Sequence, residues 1–201
     1  MSTSIHESSQ AIVARALGLP LVYLSIRPAE GESGRARFDT SSEGFGKLDD
    51  FECSIVKVSG EVGERMADGS TKPTFNWLSE GGDAEDARNF ISRCEGDELS
   101  NRALATLRAY ALLRMRWPQV EPVAAKLECS TTLLGVEVDE ICKRVDLRKQ
   151  GWTDSEIRAG SRKLSKAQAW EKITKSSPRG AAKVAAWKRA ATEDKPIPER
   201  R

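Results

Sequence analysis

Val123-Ala124-Ala125-Lys126-Leu127-Glu128-Cys129-Ser130-Thr131-Thr132-Leu133-Leu134 is the stretch whose reading decides the fold. The small residue Ala124 is followed three positions later by apolar Leu127, and three further on by Ser130, a residue suited to capping a helix. The spacing predicts one helix closing near Leu127, a short turn, and a second helix opened by Ser130. Upstream, Asp97 to Trp117 reads as the longest helix, with Leu99, Ala103, Leu104, Leu107, Ala111 and Met115 as its apolar stripe and Pro118 as its stop. Residues 84–94 read as a shorter helix, and helix formers dominate from Asp83 to Ser177.

The first eighty residues read differently. Ser4 and Glu7 have the spacing of a capping box, and Ile5, Ile12, Val13, Ala16 and Leu17 recur near helical period, so an N-terminal helix is predicted to end at Gly18 and Pro20. Leu21 to Ile26, Arg35 to Thr40, Phe51 to Ser59 and Thr74 to Leu78 read as strands from their apolar, aromatic and β-branched content. Residues 1–80 are therefore expected to form a small antiparallel sheet with a helix packed on it.

The chain has 201 residues, 39% apolar and 31% charged, enough for one compact domain or two small ones. Its longest apolar-flavoured run, Ala11 to Tyr23, is broken by Arg15, Gly18 and Pro20, which excludes a membrane-spanning helix. No basic segment followed by an apolar core marks a secretory signal, and a cytoplasmic location is expected. Cys53, Cys94, Cys129 and Cys142 are scattered without a Cys-x-x-Cys pair and read as reduced, buried thiols. The single histidine, His6, lies near the terminus, which argues against structural zinc and histidine-based catalysis. Carboxylates cluster at Asp49, Asp50 and Glu52 and at Asp83, Glu85 and Asp86, with no Lys or His at a recognisable offset, so they read as loop charge. Gly44, Gly46 and Gly60 form no phosphate-binding loop. No catalytic residue, metal site or cofactor is expected, and the protein is not expected to be an enzyme.

The net charge of +2 conceals an asymmetry. Residues 1–100 carry ten Lys and Arg against eighteen Asp and Glu, whereas residues 146–201 carry fifteen basic residues against seven acidic ones. An acidic body joined to a basic, anion-seeking end is the pattern of a nucleic-acid ligand.

The Ala124, Leu127, Ser130 spacing resembles the core of a helix-turn-helix, and the preceding long helix makes residues 97–145 similar to phage late-gene antiterminators and to the promoter-reading region of sigma factors. The resemblance implies double-stranded DNA as a partner, contact with RNA polymerase, and base-edge contacts from Ser130, Thr131, Thr132 and Leu133 at the start of the second helix. A second stretch from Leu147 resembles the motif more loosely: Thr153 and Glu156 form a T-x-x-E box, Gly160 suits a turn, and Ser165 suits a cap. Arg158, Arg162, Lys163 and Lys166, followed by Lys172 and Lys175, are candidates for phosphate contacts, and Gln168 for an adenine edge. Lys183, Lys188 and Arg189 extend the candidates into a last helix, Arg179 to Ala191. Trp117, Trp152 and Trp170 are expected in a core, while Trp187 suits either a core or a stacking role.

The expected fold class is α+β: a small N-terminal antiparallel sheet with a helix, then an all-helical C-terminal region with one or two helix-turn-helix units. The expected division is an acidic domain over 1–82, a helical region over 83–177, and a basic helix and tail over 178–201. The function this implies is a DNA-binding transcription regulator of a phage or mobile element, whose acidic N-terminal half serves protein contact or dimerisation. The alternative is an inhibitor of a host nucleic-acid enzyme, with the acidic N-terminal half acting as a nucleic-acid mimic. Oligomeric state is open.

Overall fold

The computed structural model of the chain describes residues 3–28, 34–38, 48–80 and 82–158. Met1–Asp146 form one compact unit and Leu147–Arg201 a second. The order of elements is α1 (Thr3–Ala16), β1 (Leu21–Ser25), β2 (Arg35–Phe38), α2 (Asp50–Ala67), α3 (Gly82–Ile91), α4 (Glu98–Ser130), β3 (Thr132–Leu134) and α5 (Gly135–Lys149). The class is α+β, with a small antiparallel sheet and mostly helices. Among the described residues no helix is long and apolar enough to cross a membrane.

The sheet has the order β2-β1-β3. Leu24 at its centre pairs with Ala36 on one side and Leu133 on the other, and both leucines are buried. Its third strand comes from residues 132–134, more than a hundred positions downstream, so the sheet is not confined to the N-terminal region. At the β3–α5 junction Gly135 lies so close to the backbone carbonyl of Leu21 that any side chain would collide with it. Only glycine lets α5 start there.

Helix α1 is the hub. Ala11, Ile12, Val13 and Ala14 are almost wholly buried, and the helix packs on both α2 and α4. Its partners bring Ile55, Val58 and Val62 from α2 and Leu113, Val120, Val123 and Leu127 from α4 into one continuous core. Residues on either side of position 82 thus share a core.

Four local expectations are corrected. Phe51 to Ser59 is helix, not strand: Asp49 caps α2, accepting from the Glu52 amide at 2.7 Å while Glu52 reaches back to the Asp49 amide, and Phe51, Ile55, Val58 and Val62 follow the helical period. Thr74 to Leu78 forms no strand; Phe75 and Trp77 instead pack edge to face, and the indole N–H of Trp77 donates to Thr106. Pro118 does not stop α4, which runs through Pro118 and Pro122 to Ser130. Each proline removes one backbone hydrogen bond, a cost of about 3 kcal/mol in an isolated helix. Burial of Val120, Val123 and Leu127 in the same turns offsets it.

The fourth concerns Ala124 to Leu134. Ala124, Leu127, Glu128 and Ser130 belong to the last turns of α4, the chain turns at Thr131 in the left-handed region (φ 58°), and it enters β3 rather than a second helix. The tight turn of a helix-turn-helix is therefore not formed here, because Leu133 is drawn into the sheet opposite Leu24. In the second unit the T-x-x-E box is present: Glu156 accepts from the Thr153 amide at 2.8 Å, and Thr153 accepts from the Glu156 amide at 3.4 Å. Trp152, expected in a core, is 46% exposed. Trp170 and Trp187 lie outside the described residues.

Position on α4 decides what a truncation costs. Leu113→Ala, in the core, is expected to lower unfolding free energy by about 2–5 kcal/mol. Leu104→Ala, on the exposed face of the same helix, is expected to change it by less than about 0.5 kcal/mol. Urea denaturation of the two variants beside the parent checks the contrast.

Candidate functional site

Thr3, His6, Glu7 and Gln10 of the first helix line one cleft. His6, Glu7 and Gln10 stand at i, i+1 and i+4 of α1, so one face of the helix carries an imidazole, a carboxylate and an amide. The cleft has a volume of about 360 Å3 and is closed by Gly34, Arg35 and Ala36 of β2, by Lys57 and Glu64 of α2, and by Asp83 and Asp86 of α3. This size lies in the range of small-ligand pockets. Among the described residues β2 is an outer strand of the sheet, so one wall of the cleft is a strand edge.

Glycines make the assembly possible. The His6 ring lies directly over Gly60, and Ser9 lies over Gly63, so a Cβ at either position would collide with α1. A Cβ on Gly34 would come within 2.7 Å of Glu7 Oε1. Glu7 itself is 7% exposed.

Asp83, on the first turn of α3, is where the polar contacts meet. Its Oδ2 lies 2.8 Å from His6 Nε2 and accepts from the Gln10 amide at 2.5 Å, while its Oδ1 accepts from Lys57 Nζ at 3.0 Å. Lys57 also reaches Asp86 at 2.7 Å. The other ring nitrogen of His6, Nδ1, faces Glu64 at 3.5 Å.

Burial opposes the His6 imidazolium more than any other single influence, but the hydrogen bonds and charges of Asp83 and Glu64 together outweigh it and lift the pKa to about 10. The same balance works on Asp83: burial favours its neutral form, yet His6 and Lys57 hold its carboxyl below the usual range. For Lys57, burial is likewise outweighed by Asp83 and Asp86, and its pKa is raised. At neutral pH the centre is a chain of alternating charges.

The spacing of His6, Glu7 and Gln10 matches the H-E-x-x-H helix of zinc peptidases, in which two histidines ligate zinc and the glutamate is the general base, with Gln10 in place of the second histidine. The remaining donors do not fit a zinc ion. Two ligands of a tetrahedral zinc at 2.0–2.1 Å stand roughly 3.3 Å apart. Here Asp83 Oδ2 meets both His6 and Gln10 at hydrogen-bonding distance, an amide replaces an imidazole, and an ammonium occupies the other oxygen of Asp83. Among the described residues no group of three His, Cys, Asp or Glu side chains is arranged to hold a metal.

The sequence-predicted residues fall elsewhere. Ser130 ends α4, and the hydroxyl of Thr131 accepts from Arg27 Nε at 3.1 Å. Thr132 Oγ1 lies 2.9 Å from Ser25 Oγ, so Thr131 and Thr132 are engaged within the end of the sheet. Arg158 is exposed in the second unit. Arg162, Lys163, Lys166, Gln168, Lys172, Lys175, Lys183, Lys188 and Arg189 lie outside the described residues. His6 was expected near a loose terminus and Asp83 and Asp86 as loop charge, whereas all three belong to the cleft. Ser4 lies inside α1, which starts at Thr3, and donates to Glu128 at 2.6 Å, while Glu7 lies beside Gly34. Of the four thiols, Cys142 is buried and Cys129 exposed, contrary to the expectation that all are buried. The signal that marks this site in the sequence is the i, i+1, i+4 set on α1. No protein-family model and no curated protein matches the chain.

The charged centre makes stability depend on pH in a defined direction. A histidine whose folded pKa is raised stabilises fully below its unfolded value near 6.5 and loses that contribution as pH rises toward 10. Asp83, with a lowered folded pKa, contributes above its unfolded value near 3.8 and loses that contribution in acid. Unfolding free energy is therefore expected to decline between about pH 6.5 and pH 10, and His6→Gln to flatten that decline. Urea denaturation across this range checks both, and an unchanged slope in His6→Gln contradicts the assignment.

Proposed function

We propose that the chain is a non-enzymatic regulatory protein whose N-terminal unit captures an extended polypeptide segment in the cleft between α1 and β2. The observation that carries this reading is the pairing of an outer strand with a polar helix face: Gly34, Arg35 and Ala36 line the same cleft as His6, Glu7 and Gln10. An extended peptide adds to a strand edge through main-chain hydrogen bonds, and flanking pockets choose its side chains. The polar side chains of α1 flank the captured segment, and the segment is held without being cut.

A second part of the reading concerns the basic end of the chain. The excess of fifteen basic over seven acidic residues in 146–201 supports binding to double-stranded DNA through phosphate contacts, with the cleft recruiting a protein to it. Recruitment of RNA polymerase, or of another protein, is the form of regulation proposed, in the cytoplasm. The rival role, in which the acidic N-terminal half mimics nucleic acid, has less support, because Asp83 and Asp86 are engaged by His6 and Lys57.

Panning a random peptide library against the full chain is expected to enrich extended sequences whose addition shifts the amide signals of Gly34 to Phe38. Gly34→Val, which places methyl groups against Glu7, is expected to weaken their binding by about tenfold or more, equivalent to some 1.4 kcal/mol. Enriched peptides indifferent to Gly34→Val contradict capture in the cleft. For the basic end, full-chain affinity for random duplex DNA is expected to fall linearly with salt on logarithmic axes. Reversal of Lys166, Lys172 and Lys175 to Glu is expected to flatten that slope, and absence of binding at low salt contradicts this part.

A further inference from the structure

We propose that Lys57 takes the place of a divalent metal at this site, so that the cleft is assembled by a covalently attached cation and works without one from solution. The inference rests on the same cleft as the peptide-capture reading, but on different contacts.

Asp83 comes from a helix remote in sequence and is held by three donors, two on α1 and one on α2. His6 and Gln10 hold one of its oxygens and the Lys57 ammonium the other, at 3.0 Å. Lys57 Nζ then bridges to Asp86 at 2.7 Å, tying two successive turns of α3 to α2. A divalent ion bound by the α1 helix does this work in the H-E-x-x-H arrangement, pulling a third ligand onto the two histidines. In this chain two changes act in the same sense. Gln10 offers an amide where zinc favours imidazole or thiolate. Lys57, on the α2 face that also presents Gly60 and Glu64, brings a fixed positive charge to the carboxylate a metal would need. An ammonium is a compact point charge with three donors, suited to two carboxylates at once. Each change alone weakens a metal site; together they replace its charge and its bridging role.

The test uses the full chain and four forms: parent, Lys57→Met, Gln10→His and the double variant, each refolded with and without zinc. Zinc affinity is read by competition with a chromogenic chelator, and thermal midpoint with and without that chelator. The parent is expected to bind no stoichiometric zinc and to keep its midpoint on chelation. Lys57→Met alone is expected to lower the midpoint, with no recovery on adding zinc. Lys57→Met with Gln10→His is expected to take up one zinc at least about 100-fold more tightly than the parent, and to recover its midpoint when zinc is added. Stoichiometric zinc in the parent, or a midpoint unchanged by Lys57→Met, overturns the proposal. Equal zinc uptake by Gln10→His with Lys57 retained also overturns it. The Lys57→Met midpoint stands as a readout even where the double variant fails to fold. Peptide capture is not read here, so a parent that binds zinc removes the role of Lys57 and leaves the capture reading standing.

Discussion

The contact on which the structure depends is the close approach of α1 to α2 at Gly60 and Gly63. Glycine on one helix and Ser9 and the His6 ring on the other let the two backbones come nearer than side chains allow. The approach buries Ala11, Ile12, Val13 and Ala14 and presses the first turns of α1 into the protein interior. It has a cost, since the hydroxyls of Ser8 and Ser9 are buried with no hydrogen-bond partner among the described residues. An unsatisfied buried hydroxyl costs about 1–3 kcal/mol, which the packing of α1 must exceed. With α1 seated this way, His6, Glu7 and Gln10 line the cleft.

The cleft resolves a problem of charge. Glu7, Glu64, Asp83 and Asp86 gather around one part-buried cleft, and like charges so close raise the energy of the folded state. His6 and Lys57 are the internal answer. One imidazolium is shared by Asp83 and Glu64, and one ammonium by Asp83 and Asp86. The consequence is a polar wall held together by opposite charges at neutral pH, beside β2, an outer strand among the described residues.

Much of the fold is legible in the sequence where the signals are local. The N-terminal helix, β1 and β2, and the start of the long helix follow from period, turn residues and caps. A local pattern misleads where it is outweighed by a contact made far along the chain. Phe51, Cys53 and Ile55 alternate like a strand for only a few residues, while the Asp49–Glu52 capping box and the continuation to Val58 and Val62 fix a helix. Pro118 reads as a stop, but the turns beyond it are held by core residues from other elements. Ser130 to Leu134 reads as the start of a helix because β3 exists only through pairing with β1, more than a hundred residues away. The site divides in the same manner. Its α1 half is a local spacing, His6-Glu7-x-x-Gln10, whereas Asp83 joins it across 77 positions, which no spacing along the chain reveals.

Amide hydrogen exchange of the full chain, with and without a saturating extended peptide selected from the library, tests the central claim most directly. Capture at the strand edge predicts added protection at Gly34 to Phe38 and in the first turns of α1, with the exposed face of α4 unchanged. Protection confined to α4 or to any other surface, with Gly34 to Phe38 exchanging as in the free protein, contradicts it.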